Sequence, residues 1–214
     1  MTVVLETTPV NPLPLADAPR QLDATSLETL FTKAATANRF APLPVTDEQL
    51  RSIWELAKWP PTSANFQPMR VLFVQSPEGR AKLGEFMNDN NREKTVAAPA
   101  VAILAFDRSW HENIAVTTPH KADLTEYFAN NDDARLETAR NNSWLQAGYF
   151  ILAIRALGLA AGPMTGFNAS AVDAEFFSDG AWGAFLAINI GYPTEGSYRA
   201  RMPRLDQEHT VQFA

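Results

Sequence analysis

The sequence of 214 residues contains no cysteine. Disulfide bonds, thiolate nucleophiles and cysteine-ligated metal clusters are therefore excluded. Histidine is also scarce, because only His111, His120 and His209 occur, and none lies near a Gly-x-Ser-x-Gly motif. The pair His111-Glu112 lacks the i, i+4 spacing that places two metal ligands on one helix face. We therefore expect no metal site and no serine or cysteine nucleophile.

Positively charged residues and long apolar runs are also scarce. The chain has 18 Lys and Arg against 24 Asp and Glu, a formal net charge of -6, which disfavours nucleic acid and anionic membranes as partners. The most apolar stretch, 144–161, contains Gln146 and Arg155 and falls short of a membrane span. The N-terminus lacks a basic region, and Glu6 interrupts its short apolar run, so no secretory signal is expected. These absences predict a soluble, cytoplasmic protein.

The hydrophobic share of 46% is sufficient for a buried core, and no shift in composition divides the chain. Residues 1–22 carry four prolines and no apolar period, which predicts an extended N-terminal arm. Residues 23–214 are then expected to form a single domain.

Apolar periodicity and capping patterns predict helices at 26–37, where Thr25 and Glu28 have capping-box spacing, and from Thr46 to Trp59. Further helices are predicted after Ser76-Pro77 and at 136–157, with a short one after Asn168. Continuous apolar runs predict strands at 71–74, 101–106 and 185–190. Helices and strands mix without a βαβ rhythm, which favours an α+β fold. Residues 107–131 lack a clean period but are rich in aromatic residues, so they are interpreted as a lid or pocket wall, with surface packing as the alternative.

A polar loop, Pro60-Pro61-Thr62-Ser63-Ala64-Asn65-Phe66-Gln67-Pro68, separates the second helix from the first strand. Its short side chains and free N–H groups can face a flat polar ligand, although a capped connector is the alternative. Near the C-terminus, Arg199 and Arg201 project to one side of an extended segment and can bind one dianion, unless they form a solvated basic turn. The glycines form neither a dinucleotide fingerprint nor a P-loop. Difficult chemistry would therefore require a bound organic cofactor.

Four segments together resemble the nitroreductase family of FMN enzymes. The polar loop is similar to that family's first flavin-contact loop, and Asn91-Arg92-Glu93-Lys94 to an Asn-x-x-Lys motif at the flavin pyrimidine edge and ribityl chain. Gly162-Pro163-Met164-Thr165-Gly166-Phe167 resembles the loop over the flavin N5, and Arg199-Ala200-Arg201-Met202-Pro203 the closing pair that binds the phosphate. The resemblance implies FMN contacts from Pro61, Thr62, Ser63, Asn65, Gln67, Asn91, Lys94, Pro163, Met164, Thr165, Gly166, Arg199 and Arg201. It implies catalytic positions at Thr165, Gly166 and Lys94, the last stabilising negative charge on the reduced flavin.

One segment departs from the family pattern. Most members carry Arg-x-Ser-x-Arg or Lys after the first helix, whereas Ala34-Ala35-Thr36-Ala37-Asn38 stands here. Thr36 and Asn38 can still hydrogen-bond the cofactor, but both positive charges are gone. Each lost charge-assisted bond costs about 1.5–3 kcal/mol, so weaker FMN binding is expected.

The resemblance further implies an α+β fold with a mostly antiparallel sheet flanked by helices, in an intertwined homodimer. The dimer would hold two FMN sites at its interface, each built from both chains, with the apolar helix 136–157 in the dimer core. NADH or NADPH would reduce the flavin, which would then reduce a small acceptor in a ping-pong cycle. The choice between the two nucleotides stays open.

Several segments resemble the malonic semialdehyde reductase branch, which favours that aldehyde as acceptor, reduced to 3-hydroxypropionate. A quinone or nitroaromatic is the alternative, and Trp110, Tyr127 or Phe128 would then wall a pocket for a flat ring. Two further hypotheses assign no catalytic activity. In one the chain is an FMN-binding protein without turnover, and in the other it is a structural dimer that has lost its cofactor.

Overall fold

The structure is a computed structural model that describes residues 21–214. Residues 1–20 of the predicted arm lie outside the described residues. The helices are α1 (Ala24–Leu27, continued by a π-helical turn at Glu28–Thr32), α2 (Asp47–Ala57), α3 (Pro77–Phe86), α4 (Asp89–Ala97), α5 (Ile114–Thr117), α6 (Leu124–Ala129), α7 (Asp132–Ala156) and α8 (Ala169–Phe176). The strands are β1 (Met69–Val74), β2 (Ala100–Asp107), β3 (Ala160–Met164) and β4 (Trp182–Gly191).

The four strands form one sheet in the order β1-β2-β4-β3, and every neighbouring pair is antiparallel. Strand β2 is buried along its whole length, as expected for a central strand without polar alternation. In the register, Val101 of β2 and Gly162 of β3 both lie opposite Asn189 of β4. The predicted α+β fold with an antiparallel sheet is confirmed.

Helices cover both faces of the sheet. On one face, alternate strand residues such as Leu104 and Ile188 pack against α2 and α7 in a core centred on Phe150. On the other face, residues such as Ile103 pack against α3 and α8. The period-two alternation of strand side chains therefore divides the apolar residues between two cores.

Local capping signals locate most helix ends correctly. The N–H of Gln49 donates to the Thr46 hydroxyl at 3.2 Å, and the N–H of Thr46 donates to the Gln49 side chain at 3.0 Å, which confirms the capping box of α2. Ser76 caps α3, with Pro77 in its first turn. Helix α7 starts one turn earlier than predicted and ends before Gly158, whose φ of 75° suits a glycine.

The prediction for the first helix is wrong at both ends. Asp23, not Thr25, is the N-cap, because its carboxylate accepts the N–H of Ser26 at 2.8 Å. The helix ends at Thr32 instead of Ala37, and residues 34–38 form neither helix nor strand. The N–H of Ala37 donates to the Ala161 carbonyl at 2.9 Å, a bond that competes with helix continuation.

Helix α4 was not predicted, because its sequence reads as a polar cluster. It has no apolar stripe and buries only Thr95. Hydrogen bonds to neighbouring segments hold it instead, as described below. Over residues 21–214, no helix has both the length and the apolar character needed to cross a membrane.

Candidate functional site

A cleft lies between α4 and the segments 38–40 and 194–199. Its volume is about 630 Å³, and it shares Asn38 and Arg199 with a second hollow of about 300 Å³. We call the two together the basic cleft; its polar lining residues are Thr36, Asn38, Arg39, Asp89, Asn90, Glu93, Lys94, Thr194, Arg199, Arg201 and Arg204. The structure thus brings together five predicted site residues from three distant parts of the sequence: Thr36, Asn38, Lys94, Arg199 and Arg201.

The basic cleft is suited to an anionic ligand. Lys94 and Arg199 lie close enough that the neighbouring guanidinium, together with burial as the larger cause, lowers the pKa of the Lys94 ammonium. Arg201 is fixed to the 34–38 segment, because its Nη2 donates to the Ala34 carbonyl at 2.7 Å. These cations repel one another in the free protein, and an anion that binds between them relieves this repulsion.

Two cations in this cleft were missed by the sequence analysis. Arg39 follows Asn38, one position beyond the segment that the resemblance covers, and Arg204 lies just after the predicted basic pair. The turn that ends at Ser197 holds Arg39 in place, because the buried Ser197 hydroxyl donates to the Arg39 carbonyl at 2.6 Å. A position-by-position transfer from the family pattern could not find either arginine.

Asn189 ties Lys94 to the sheet. The Asn189 side chain is fully buried, and its Nδ2 donates to the Lys94 carbonyl at 3.1 Å. The only sign of this role in the sequence was one polar residue inside an apolar strand.

Thr165 and Gly166 follow β3 beside α4. The Gly166 carbonyl accepts hydrogen bonds from the Asn88 N–H and the Asn91 Nδ2, both at 3.0 Å. A Cβ atom on Gly166 would lie 2.6 Å from the Asn91 nitrogen, so a larger residue would push the Asn91 amide out of this position. Asn91 therefore fixes the 165–166 backbone, an interaction that the motif did not predict.

The structure corrects the predicted cofactor contact of Met164. Its side chain is buried, with the sulfur 4.0 Å from the Thr95 hydroxyl. Only the backbone of Met164 can face a ligand, because the side chain points into the core. Pro163 is half-buried in the same strand.

The 61–67 loop, which comprises Pro61 to Gln67, lies at the other end of the sheet. The N–H of Asp107, at the end of β2, donates to the Pro68 carbonyl at 2.9 Å. Asn189, which bonds Lys94, lies opposite Val101 at the start of that strand. Six residues of strand separate these points, or about 20 Å. The cavity lined by Lys94 and Arg199 accordingly includes none of the predicted loop residues.

The backbone of the 61–67 loop is strained. Ala64, Asn65 and Gln67 have φ angles of 43°, 59° and 48°, in the left-handed region that glycine prefers. Such conformations cost about 1–3 kcal/mol each in bulky residues and less in asparagine. The Gln67 N–H donates to the Thr62 hydroxyl at 3.2 Å, and the Gln67 Nε2 to the Asn65 side chain at 2.8 Å. Backbone strain of this kind is concentrated at ligand-contacting sites.

Two of the three aromatic residues predicted to contact substrate are core residues instead. Trp110 is fully buried and Phe128 nearly so, and their rings lie 4.7 Å apart between centroids. Both pack against Phe66 of the 61–67 loop. The prediction of a direct substrate contact is therefore wrong for Trp110 and Phe128. Tyr127 remains 52% exposed and available to a ligand.

The 107–131 segment folds into short helices around this aromatic cluster. Within it, burial as the larger cause and Arg135 lower the pKa of the His111 imidazole. Among residues 21–214, no group of three or more His, Asp or Glu side chains could hold a metal ion.

Comparison with known proteins agrees with this arrangement. Residues 35–192 match the model of the nitroreductase family. A protein of Streptomyces coelicolor is 49% identical over 86% of this chain and 92% of its own length, and carries the provisional name NADH dehydrogenase/NAD(P)H nitroreductase.

Two solved structures share the fold. One, named a nitroreductase from Exiguobacterium sibiricum and solved in complex with FMN, has a TM-score of 0.77 at 20% identity and covers 91% of this chain and 99% of its own. The other, named an NAD(P)H:FMN oxidoreductase from Staphylococcus epidermidis, has a TM-score of 0.76 at 24% identity, with 92% and 98% covered. The match over most of the chain and the close relative show that this protein belongs to the nitroreductase family.

Proposed function

We propose that the protein is an FMN-dependent oxidoreductase that accepts hydride from NADH or NADPH and passes it to a small organic acceptor. The observation that carries the proposal is the basic cleft, in which Lys94, Arg199 and Arg201 line adjoining cavities of about 630 and 300 Å³, within the range of ligand-binding pockets. The FMN complex and the oxidoreductase names of the related proteins support the same cofactor and donors.

The residues of the cleft fit the parts of FMN. Arg199 and Arg201 would bind the phosphate, since guanidinium groups form charge-assisted bonds with phosphate oxygens. Thr36 and Asn38 offer hydrogen bonds beside them, and Lys94 would lie at the pyrimidine ring. The Asn91 and Asn88 side chains fill the space beside the Gly166 Cα, and Asn91 fixes the 165–166 backbone next to which the ring system would lie. When bound, FMN supplies the hydride-transfer chemistry that no side chain of this protein can provide.

We also propose a homodimer in which each basic cleft is completed by the 61–67 loop of the second copy. The loop and the cleft lie at opposite ends of one sheet, so a single copy does not close a site around one ligand. Helix α7 meanwhile leaves Trp144, Leu145 and Tyr149 between 42% and 47% exposed. An apolar face of this kind on the longest helix is suited to a symmetric interface.

Sedimentation of the purified protein tests the dimer. We expect a mass of twice 23.6 kDa, and a monomer once Leu145→Glu places a charge on the exposed face. Leu43→Glu is the control, because Leu43 is similarly exposed outside α7. A wild-type monomer that holds FMN with full affinity would refute the shared site.

For the acceptor, we propose malonic semialdehyde or a related small acidic aldehyde. The burial of Trp110 and Phe128 removes two of the three aromatic walls that a flat quinone or nitroaromatic would use. Arg39 adds a cation to the cleft that can pair with a carboxylate. Both observations favour a small anionic acceptor over a large aromatic one.

The visible spectrum of the purified protein tests the function. We expect a flavin band that bleaches on anaerobic addition of NADH or NADPH and returns faster with malonic semialdehyde than with a quinone or nitroaromatic. A colourless protein that FMN cannot reconstitute would refute the cofactor assignment. A flavin band that neither nucleotide bleaches would favour an FMN-binding protein without turnover.

A further inference from the structure

The strained 61–67 loop is held in place by a segment far from it in sequence. The hydroxyl of Thr118 donates to the carbonyl of Ala64, and the Asn65 Nδ2 donates to the carbonyl of Thr117 at 2.9 Å. Thr118 is 2% exposed, so its hydroxyl has no water to bond in place of Ala64. Two of the three left-handed residues of the loop, Ala64 and Asn65, are therefore bonded to the end of α5.

A contact from α7 fixes the start of the same loop. The N–H of Ser63 donates to the buried Asn142 side chain at 2.7 Å, while the Asn142 Nδ2 bonds the Thr138 carbonyl one turn earlier in the helix. Phe66 anchors the other end in the aromatic cluster with Trp110. Between these anchors, Ala64 has no polar side chain that could stabilise its own left-handed backbone. Its conformation depends on the partner that its carbonyl meets.

We propose that Thr118 is a positioning residue: its hydroxyl holds Ala64 and Asn65 in the left-handed conformation and so sets the direction in which Ser63, Asn65 and Gln67 present their polar groups. That these groups then meet a flavin rests on the proposed function. A ligand that displaces the end of α5 would alter the geometry of the loop through the same two hydrogen bonds.

The adjacent threonines provide a matched pair of variants. Thr118→Val keeps the shape of the side chain and removes only the hydroxyl that reaches Ala64. Thr117→Val makes the same change at a hydroxyl whose one bond within residues 21–214 is to the carbonyl of Asn113, the N-cap of α5, at 3.2 Å. Thr118→Ser retains the hydroxyl and is the conservative rescue.

The first measurement is hydrogen exchange of the loop amides in cofactor-free protein. The N–H groups of Ser63, Asn65, Phe66 and Gln67 all have partners in the folded loop, so they exchange when the loop opens. We expect exchange in Thr118→Val to accelerate by a few-fold to about tenfold, because the loss of one hydrogen bond changes the opening equilibrium by about that factor. Thr118→Ser and Thr117→Val are expected to exchange at the wild-type rate.

The second measurement is the dissociation constant of FMN, which is expected to rise by a similar factor in Thr118→Val alone. Unchanged loop exchange in Thr118→Val, or equal acceleration in Thr117→Val, would overturn the positioning role. Faster loop exchange with unaltered FMN affinity would overturn the link from the loop to the ligand. If the wild-type protein binds no FMN, the proposed function fails, while the exchange data still decide whether Thr118 holds the loop.

Discussion

Replacing Arg199 and Arg201 together with glutamine is expected to weaken FMN binding by about a hundredfold or more. Each charge-assisted hydrogen bond to the phosphate contributes about 1.5–3 kcal/mol, and every 1.4 kcal/mol changes the dissociation constant tenfold. By the resemblance described above, Ala34 and Asn38 stand at positions where basic residues would be expected. The phosphate therefore depends on the C-terminal arginines more than it would in a protein with all four cations. Fluorescence titration of cofactor-free protein with FMN measures the change.

Riboflavin is the matched ligand for this test, because it lacks only the phosphate. Its affinity is expected to be the same in the wild type and in Arg199→Gln/Arg201→Gln. The single variant Arg199→Gln separates phosphate binding from structure, because Arg201 also donates to the Ala34 carbonyl and supports the 34–38 segment. Arg51→Gln, at an exposed arginine of α2, is the protein control. Equal losses for FMN and riboflavin would show that the arginines do not bind the phosphate.

Elements with strong local signals were predictable from the sequence. The Thr46–Gln49 capping box and Gly158 after the long helix both act through neighbouring residues, so their consequences can be inferred from a short window. Strand β2 was equally clear, because a continuous apolar run has no stable place at a polar surface.

Elements decided by distant contacts were not predictable. Helix α4 lacks an apolar stripe. It is held by its own Asn91, which bonds the Gly166 carbonyl 75 positions away, and by Asn189, which bonds the Lys94 carbonyl from 95 positions away. The first helix ends early because Ala37 pairs with Ala161, a partner more than a hundred residues along the chain. Propensity and periodicity carry no information about such partners.

The same distinction applies to the site. Motif matching identified Thr36, Asn38, Lys94, Arg199 and Arg201, and the fold gathers them in one cleft. It gave no indication that the 61–67 loop lies at the far end of the sheet, because motif order does not encode spatial distance. The burial of Trp110 and Phe128 could not be predicted for a related reason. In a segment without periodicity, the sequence does not distinguish an aromatic residue that faces a pocket from one that faces the core.

Replacing Lys94 with methionine is expected to slow flavin reduction by NADH or NADPH by about a hundredfold to a thousandfold, the usual effect of removing one preorganised electrostatic group. The ammonium would lie at the pyrimidine ring, where negative charge develops as hydride arrives. Stopped-flow recording of the flavin band measures the rate, and Lys121→Met at an exposed position is the control. A variant that holds a full complement of FMN and is reduced at the wild-type rate would refute this role.

The same substitution is expected to stabilise the cofactor-free protein at neutral pH. Burial and Arg199 lower the pKa of Lys94, so the fold disfavours the charged ammonium that the unfolded chain tolerates. Between the lowered folded pKa and the unfolded value of about 10.4, the unfolded chain binds more protons, and the stability of the wild type therefore rises with pH. The gain in stability of Lys94→Met over the wild type should accordingly be greatest near pH 7 and shrink as the pH approaches 10. Thermal unfolding at several pH values measures this difference. A variant that is slower as an enzyme but more stable without cofactor would show that Lys94 is retained for its charge. A loss of both properties would instead indicate a structural role for the lysine stem.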